Sequence, residues 1–247
     1  MSRLRVLSLF SGIGGLDLGL ERAGMEIVAH SEIDPYACRV LKKHWPGVPN
    51  LGDITKVEWG ESIGRVDVIA GGFPCQDISL AGKGAGINEG TRSGLWAEYA
   101  RAIRHIRPRY VIVENVAALL GRGLDRVLGD LASLGYDAEW SMLSACAFGA
   151  PHPRERLFIV AYSNAEHGHE GVGPFSQPGS AEVLPGADAK NHWSDPIGSY
   201  VSANTDRAGM ADGIPYWVDR VGCLGNAVVP QVAEYVGRLV VEHWKAS

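Results

Sequence analysis

Leu4-Arg5-Val6-Leu7-Ser8-Leu9-Phe10 runs into Ser11-Gly12-Ile13-Gly14-Gly15 and then into Leu16-Asp17-Leu18-Gly19-Leu20-Glu21-Arg22-Ala23. The first segment is apolar enough for a buried strand, and the last carries its apolar residues at helical spacing. Glycines between a strand and a helix let the backbone approach a ligand closely. A strand, a glycine turn and a helix in that order predict an open α/β sheet, in which ligands bind beyond the carboxyl ends of the strands.

The next segments extend the pattern. A strand over 26–30 ends in Ser31-Glu32-Ile33-Asp34. An acidic residue roughly 20 positions beyond a glycine turn suits a ribose hydroxyl. The plainer account is an α/β turn followed by a helix cap at Asp34. The glycine turn and Glu32 together favour a nucleoside ligand. A helix is expected over 35–44, then a loop, Asn50-Leu51-Gly52-Asp53-Ile54-Thr55, in which Asp53 either caps a turn or faces an adenine amino group.

Val66-Asp67-Val68-Ile69-Ala70 is the next strand candidate, and it leads into Gly71-Gly72-Phe73-Pro74-Cys75-Gln76. A cysteine at the carboxyl end of a strand is a candidate nucleophile. From Gln76 to Arg92 the chain is glycine-rich (Gly82, Gly84, Gly86, Gly90) and carries Lys83 and Arg92. A loop of that length reads as a lid beside the cysteine, or as a plain surface loop.

An amphipathic helix over 95–106 precedes a strand over 110–113, which runs into Glu114-Asn115-Val116. A carboxylate there is costly to bury without a partner; otherwise it caps the turn that follows. Parallel strands ending in Cys75 and Glu114 would bring both side chains to one crevice. A helix over 124–134, a strand over 136–144 and a strand over 157–162 complete the series. Arg154 and Arg156 lie two apart, so on a strand they share a face. They either bind phosphate, hold a carboxylate such as Glu114, or lie on a solvated edge.

From Ser163 to about Gly213 the character changes. The span is rich in Gly, Pro, Ser, Asn and Asp, and seven carboxylates face only Lys190 and Arg207. Gly225-Asn226-Ala227-Val228-Val229-Pro230-Gln231 then opens a terminal helix with Val232, Val236, Leu239 and Val240 on its apolar face.

With 247 residues the chain suffices for one large domain or one domain plus a small one. Its four cysteines have no C-x-x-C spacing, which argues against a zinc site and a disulfide framework and makes a reducing cytoplasm the default. No metal, signal peptide or membrane span is expected. The net charge of −5 weighs mildly against nucleic acid, although a basic cleft can coexist with an acidic exterior.

The ordered set of motifs resembles the DNA (cytosine-5) methyltransferases. Phe10-Ser11-Gly12-Ile13-Gly14-Gly15 is similar to the family's cofactor turn, and Ser31-Glu32-Ile33-Asp34 and Gly52-Asp53-Ile54 to its next two cofactor motifs. Gly72-Phe73-Pro74-Cys75-Gln76 resembles the nucleophile motif, Glu114-Asn115-Val116 the carboxylate motif, Arg154-Glu155-Arg156 the Arg-x-Arg motif and 225–231 the last motif. The resemblance implies a Rossmann-like α/β sheet, with a catalytic and cofactor-binding domain over 1–162 plus 220–247 and a small irregular target-recognition region over 163–219. It implies Cys75, Glu114, Arg154 and Arg156 as catalytic residues acting on a flipped cytosine. S-Adenosylmethionine would be held by Phe10, Gly12, Ile13, Gly14, Gly15, Glu32, Ile33, Asp53, Ile54, Gly72, Pro74, Leu95, Asn226 and Val228. Gln76, Ser79, Lys83 and Arg92 would contact double-stranded DNA, and Arg220 is the basic residue of the motif before the last.

A monomer in the cytoplasm, paired with a cognate restriction endonuclease, is the further implication. The short acidic recognition span implies minimal target recognition, a partner's help, or a degenerate remnant with weak activity. A transfer-RNA methyltransferase would carry a Cys-Phe-Thr segment, absent here. A nicotinamide oxidoreductase would leave Cys75, Glu114 and the arginines without a role.

Overall fold

Continuous apolar runs become strands buried on both faces, and the amphipathic runs between them become the helices that cover the sheet. The computed structural model describes residues 2–60, 63–74, 95–152, 154–164, 173–176 and 224–246. In chain order these form β1 (Arg5–Leu9), α1 (Gly15–Arg22), β2 (Glu26–Ser31), α2 (Pro35–His44), β3 (Val68–Gly71), α3 (Trp96–Ile106), β4 (Tyr110–Val116), α4 (Leu124–Ser133), β5 (Tyr136–Ser144), β6 (Glu155–Ser163) and α5 (Pro230–Ala246). None of the described helices is long and apolar enough to cross a membrane.

The six strands lie in the order β2-β1-β3-β4-β6-β5. β1 to β4 are mutually parallel, so their carboxyl ends gather on one edge of the sheet. β6 runs antiparallel to β4, with Val116 opposite Arg156, and β5 runs antiparallel to β6. The reversal brings the start of β6 to the same edge as the end of β4. It therefore sets Arg156 beside the strand that carries Glu114.

Successive residues of each strand feed opposite faces. Leu7, Ile69, Val111 and Ile159 pack under Trp96, Tyr99, Ile103, Val127 and Leu131 of α3 and α4. Val6, Val68, Ile112 and Val160 pack under Leu16 and Leu20 of α1 and Val232, Val236 and Val240 of α5. Each such burial contributes about 1.5–3 kcal/mol, which is how a helix from the end of the chain is held against the first one.

β3 begins two residues later than the apolar run suggests. Asp67 serves as a tie instead. Its carboxylate accepts the Arg5 N–H at 3.0 Å and pairs with Arg65 Nε at 2.7 Å. On the outer strand, Glu139 of β5 accepts the Phe175 N–H at 2.8 Å and the Ser176 hydroxyl, which fastens residues 173–176 to the edge of the sheet.

Candidate active site

A cavity of about 530 Å³ opens where the four parallel strands end. That volume lies within the range of ordinary ligand sites. β1 brings Leu9 and Phe10 to it, β2 brings Ser31 and Glu32, β3 leads to Gly72, Phe73 and Pro74, and β4 brings Glu114, Asn115 and Val116. Gly12, Gly15, Ile33, Asp53, Ile54, Leu95, Arg156, Asn226 and Val228 complete most of the wall. Ile13 and Gly14, expected here from the glycine turn, are not among the lining residues. Gly14 instead sits over the Trp45 ring.

One end of the cavity is built from backbone amides gathered on a carboxylate. Glu32 Oε2 accepts the Gly12 N–H at 2.7 Å, while Oε1 accepts Ile33 N–H at 2.8 Å and Asp34 N–H at 2.7 Å. A carboxylate offers about four acceptor positions, so one remains on Oε2 for a ligand hydroxyl. Gly12 has φ +55°, and a side chain there would project into open space. The bare backbone thus leaves a cradle on the cavity wall. Phe10 has φ 53°, a costly conformation for an aromatic residue, and its ring stacks on Tyr99 at 6.4 Å. Strain of this kind gathers at ligand sites.

Asp34 caps α2 through Ala37 N–H at 2.8 Å, as its position after Glu32 suggested. Asp53 caps the short turn Ile54–Lys56 and also lines the cavity. The Thr55 hydroxyl and N–H donate to its carboxylate at 2.8 and 3.0 Å and hold it below the usual carboxylate range.

The other end carries charge out of water. Glu114 is only 7 % exposed. It does not cap the following turn; its carboxylate meets Arg156 Nε at 3.0 Å. Burial pushes its pKa up to about 7, against the opposing pull of Arg156 and Arg154. Gly72 is required by this approach, because a Cβ there would stand 2.6 Å from Glu114 Oε2. Arg154, just ahead of β6, is pulled down by burial, and its Nε and Nη2 have no hydrogen-bond partner among the described residues.

Asn115 was not singled out from the sequence. Its side chain donates to the Phe73 carbonyl at 3.2 Å and accepts Val116 N–H at 2.9 Å, tying the end of β4 to the turn before Pro74. Its only signal in the sequence was adjacency to Glu114. Cys75, Gln76, Ser79, Lys83, Arg92 and Arg220, together with most of 163–219, lie outside the described residues. Pro74, the residue before Cys75, lines the cavity. A single cavity thus joins an end suited to a nucleoside with an end holding a buried carboxyl and the Arg156 guanidinium; Arg154, expected beside them, is not among the lining residues.

Known proteins share this arrangement of sequence. Residues 4–204 match the family model described as C-5 cytosine-specific DNA methylase. The type II methyltransferase M.Eco47II of Escherichia coli is 44 % identical over 165 residues, covering 64 % of this chain and 39 % of that protein. The type II methyltransferase M.NgoBV of Neisseria gonorrhoeae is 38 % identical over 177 residues, covering 65 % and 41 %. The chain therefore spans about two fifths of the length of these relatives. Among solved structures, a prophage-encoded protein described as a DNA modification methyltransferase (E. coli) aligns with TM-score 0.56 and 26 % identity, over 66 % of this chain and 47 % of that one. S. pombe Dnmt2 methyltransferase aligns with TM-score 0.58 over 74 % and 54 % of the two chains; at 22 % identity it bears on the fold alone.

Proposed function

We propose, for a chain that belongs to the C-5 cytosine-specific DNA methylase family, that it transfers a methyl group from S-adenosylmethionine to carbon 5 of a cytosine flipped out of duplex DNA. The observation that carries the reading is the single cavity shared by Glu32, Asp53, Glu114 and Arg156. The residues at the Glu32 end fit the cofactor: a bare cradle at Gly12, one open acceptor on Glu32, and apolar walls from Phe10, Ile33, Ile54 and Leu95. S-Adenosylmethionine held there supplies a methyl group on a sulfonium that departs with the bonding electrons.

The protein's own groups make the base reactive. Carbon 5 of cytosine is a weak nucleophile. The Cys75 thiolate adds to carbon 6, forming a C–S bond and pushing the ring electrons toward ring nitrogen 3. Glu114 donates its proton to that nitrogen and accepts a hydrogen bond from the exocyclic amine. A carboxyl with its pKa raised to about 7 still holds a proton near neutral pH, as this step requires. Arg156, 3.0 Å away, fixes its orientation, and Arg154 adds a second positive charge near the carboxyl. After methylation a water molecule takes the carbon 5 proton, the released electrons re-form the ring double bond between carbons 5 and 6 and expel the Cys75 thiolate, and nitrogen 3 returns its proton to Glu114.

The span 163–219 is the candidate for reading the DNA sequence, with Gln76, Ser79, Lys83 and Arg92 on the closing loop. A monomer in the cytoplasm, serving alongside a cognate restriction endonuclease, is the setting this reading favours. The test is incubation with mixed-sequence duplex DNA and cofactor tritiated in its methyl group, followed by digestion to nucleosides. Label in 5-methyldeoxycytidine, lost in Glu114→Ala, is expected. Label in another nucleoside, or none, overturns the reading.

A further inference from the structure

Asn50 lies outside the cavity wall, exposed, and in none of the motifs. Its side-chain amide nevertheless meets four groups. Oδ1 accepts the Glu32 N–H at 3.0 Å and the Gly52 N–H at 3.1 Å. Nδ2 donates to the Glu32 carbonyl at 3.0 Å and to Cys38 Sγ at 3.2 Å. The Cys38 thiol in turn donates to the Glu32 carbonyl at 3.3 Å. Both ends of the amide thus reach the backbone of a residue 18 positions away.

What Asn50 joins explains the arrangement. Glu32 carries the carboxylate that gathers the Gly12 turn, and Gly52 precedes Asp53. The backbone around it already leans the same way: His30 and Asn50 form a parallel bridge, Leu51 N–H donates to the His30 carbonyl at 2.7 Å, and the Ser31 hydroxyl donates to the Gly52 carbonyl at 2.7 Å. Those links end at Ser31, one residue short of Glu32. Asn50 supplies the next one through both the N–H and the C=O of one residue.

We propose that Asn50 is a positioning residue for nucleoside binding, a clamp that holds the ribose-facing Glu32 and the Gly52–Asp53 turn at a fixed separation. The inference rests on the cofactor reading of the cavity. The clamp acts through others: it touches no cavity space, so its loss changes where Glu32 and Asp53 stand rather than what they are.

Two variants test it, Asn50→Asp and Asn50→Ala, with binding of S-adenosylhomocysteine and 5′-methylthioadenosine measured by calorimetry on the full chain. Asp keeps the acceptor for Glu32 and Gly52 N–H but turns an oxygen toward the Glu32 carbonyl; Ala removes all four bonds. With Glu32 and the Gly52–Asp53 turn no longer held where the ligand needs them, both variants bind each ligand at least about tenfold more weakly. The equal loss for 5′-methylthioadenosine, which lacks the amino-acid arm, places the effect at the nucleoside. The ligand-free melting temperature stays within a few degrees of wild type, because the side chain is exposed. If one variant melts early, the other decides. Affinity within twofold of wild type in either folded variant, or a loss confined to S-adenosylhomocysteine, overturns the clamp. A wild-type chain that binds neither ligand overturns the cofactor reading, and the clamp with it.

Discussion

The two ends of the cavity are built on opposite principles. At the Glu32 end the network is nearly closed: three backbone N–H groups meet one carboxylate and leave one acceptor open, Asp34 caps α2 and Asp53 caps a turn. At the Glu114 end the matching is incomplete. Glu114 is buried with one close cation, and Arg154, which influences Glu114 without lining the cavity, keeps two buried donors without a partner among the described residues. A saturated network holds a shape, and a ligand gains by fitting it. An unsaturated one is raised in energy, and a ligand that completes its hydrogen bonds recovers the cost. The contrast suits a cavity whose cofactor end is preorganised and whose base end is completed by the substrate.

Glu114→Gln breaks the contrast most sharply. It keeps the shape and a hydrogen-bond donor but cannot give a proton to ring nitrogen 3. Methyl transfer falls by about 10²–10⁴-fold, while S-adenosylhomocysteine affinity is unchanged. Steady-state kinetics beside calorimetry read both. Glu32→Ala does the reverse. It frees three N–H groups and removes the acceptor proposed for the ribose, so cofactor affinity falls by about 100-fold, and the turnover at saturating cofactor changes far less. If either variant moved both quantities equally, the two ends would not be separable.

The buried carboxyls also set a pH dependence. Glu114 and Asp17 each carry a pKa raised to about 7 in the fold, against ordinary values of 4.5 and 3.8. Their contribution is full below the ordinary values and is lost as pH rises through about 7. His30, pulled down to about 4 by burial, works in the opposite sense below its ordinary 6.5. The net fall is therefore read above pH 6.5. Between pH 6.5 and 8, unfolding free energy drops by on the order of 1 kcal/mol for each carboxyl. Denaturant titrations at the two pH values check this, and Glu114→Gln and Asp17→Asn each flatten part of the slope.

Much of this was legible in the chain. The strands and helices fall within two residues of the expected runs at nearly every border, because the inner strands are apolar throughout and each helix buries one regular face. The strand-end residues Glu32 and Glu114 stood out for the same reason: a carboxylate ends an apolar run. What stayed hidden depends on long-range geometry. Nothing local shows that β6 slips between β4 and β5, which is what carries Arg156 to Glu114. Asp17 of α1 is fully buried, with His30 Nε2 4.0 Å away, and nothing in the helical spacing marks it. The four bonds of Asn50 follow no period.

The smallest effect expected is at Lys56, which is 82 % exposed and stands 3.5 Å from Asp53. Lys56→Ala costs no more than about 0.5 kcal/mol of stability and leaves cofactor affinity unchanged, because the two Thr55 donors hold Asp53 without it. A large loss would mean that the cofactor end depends on surface charge rather than on its turn.

The most direct test of the account is a covalent trap. Duplex DNA bearing 5-fluorocytosine is incubated with the protein and S-adenosylmethionine, and intact mass is recorded. Fluorine cannot leave carbon 5 as a cation, so the C–S bond from Cys75 cannot break after methylation. Wild type is expected to gain the mass of one DNA strand plus a methyl group, and Cys75→Ser to gain nothing. An unmodified wild type, or an equal adduct in Cys75→Ser, would contradict the account.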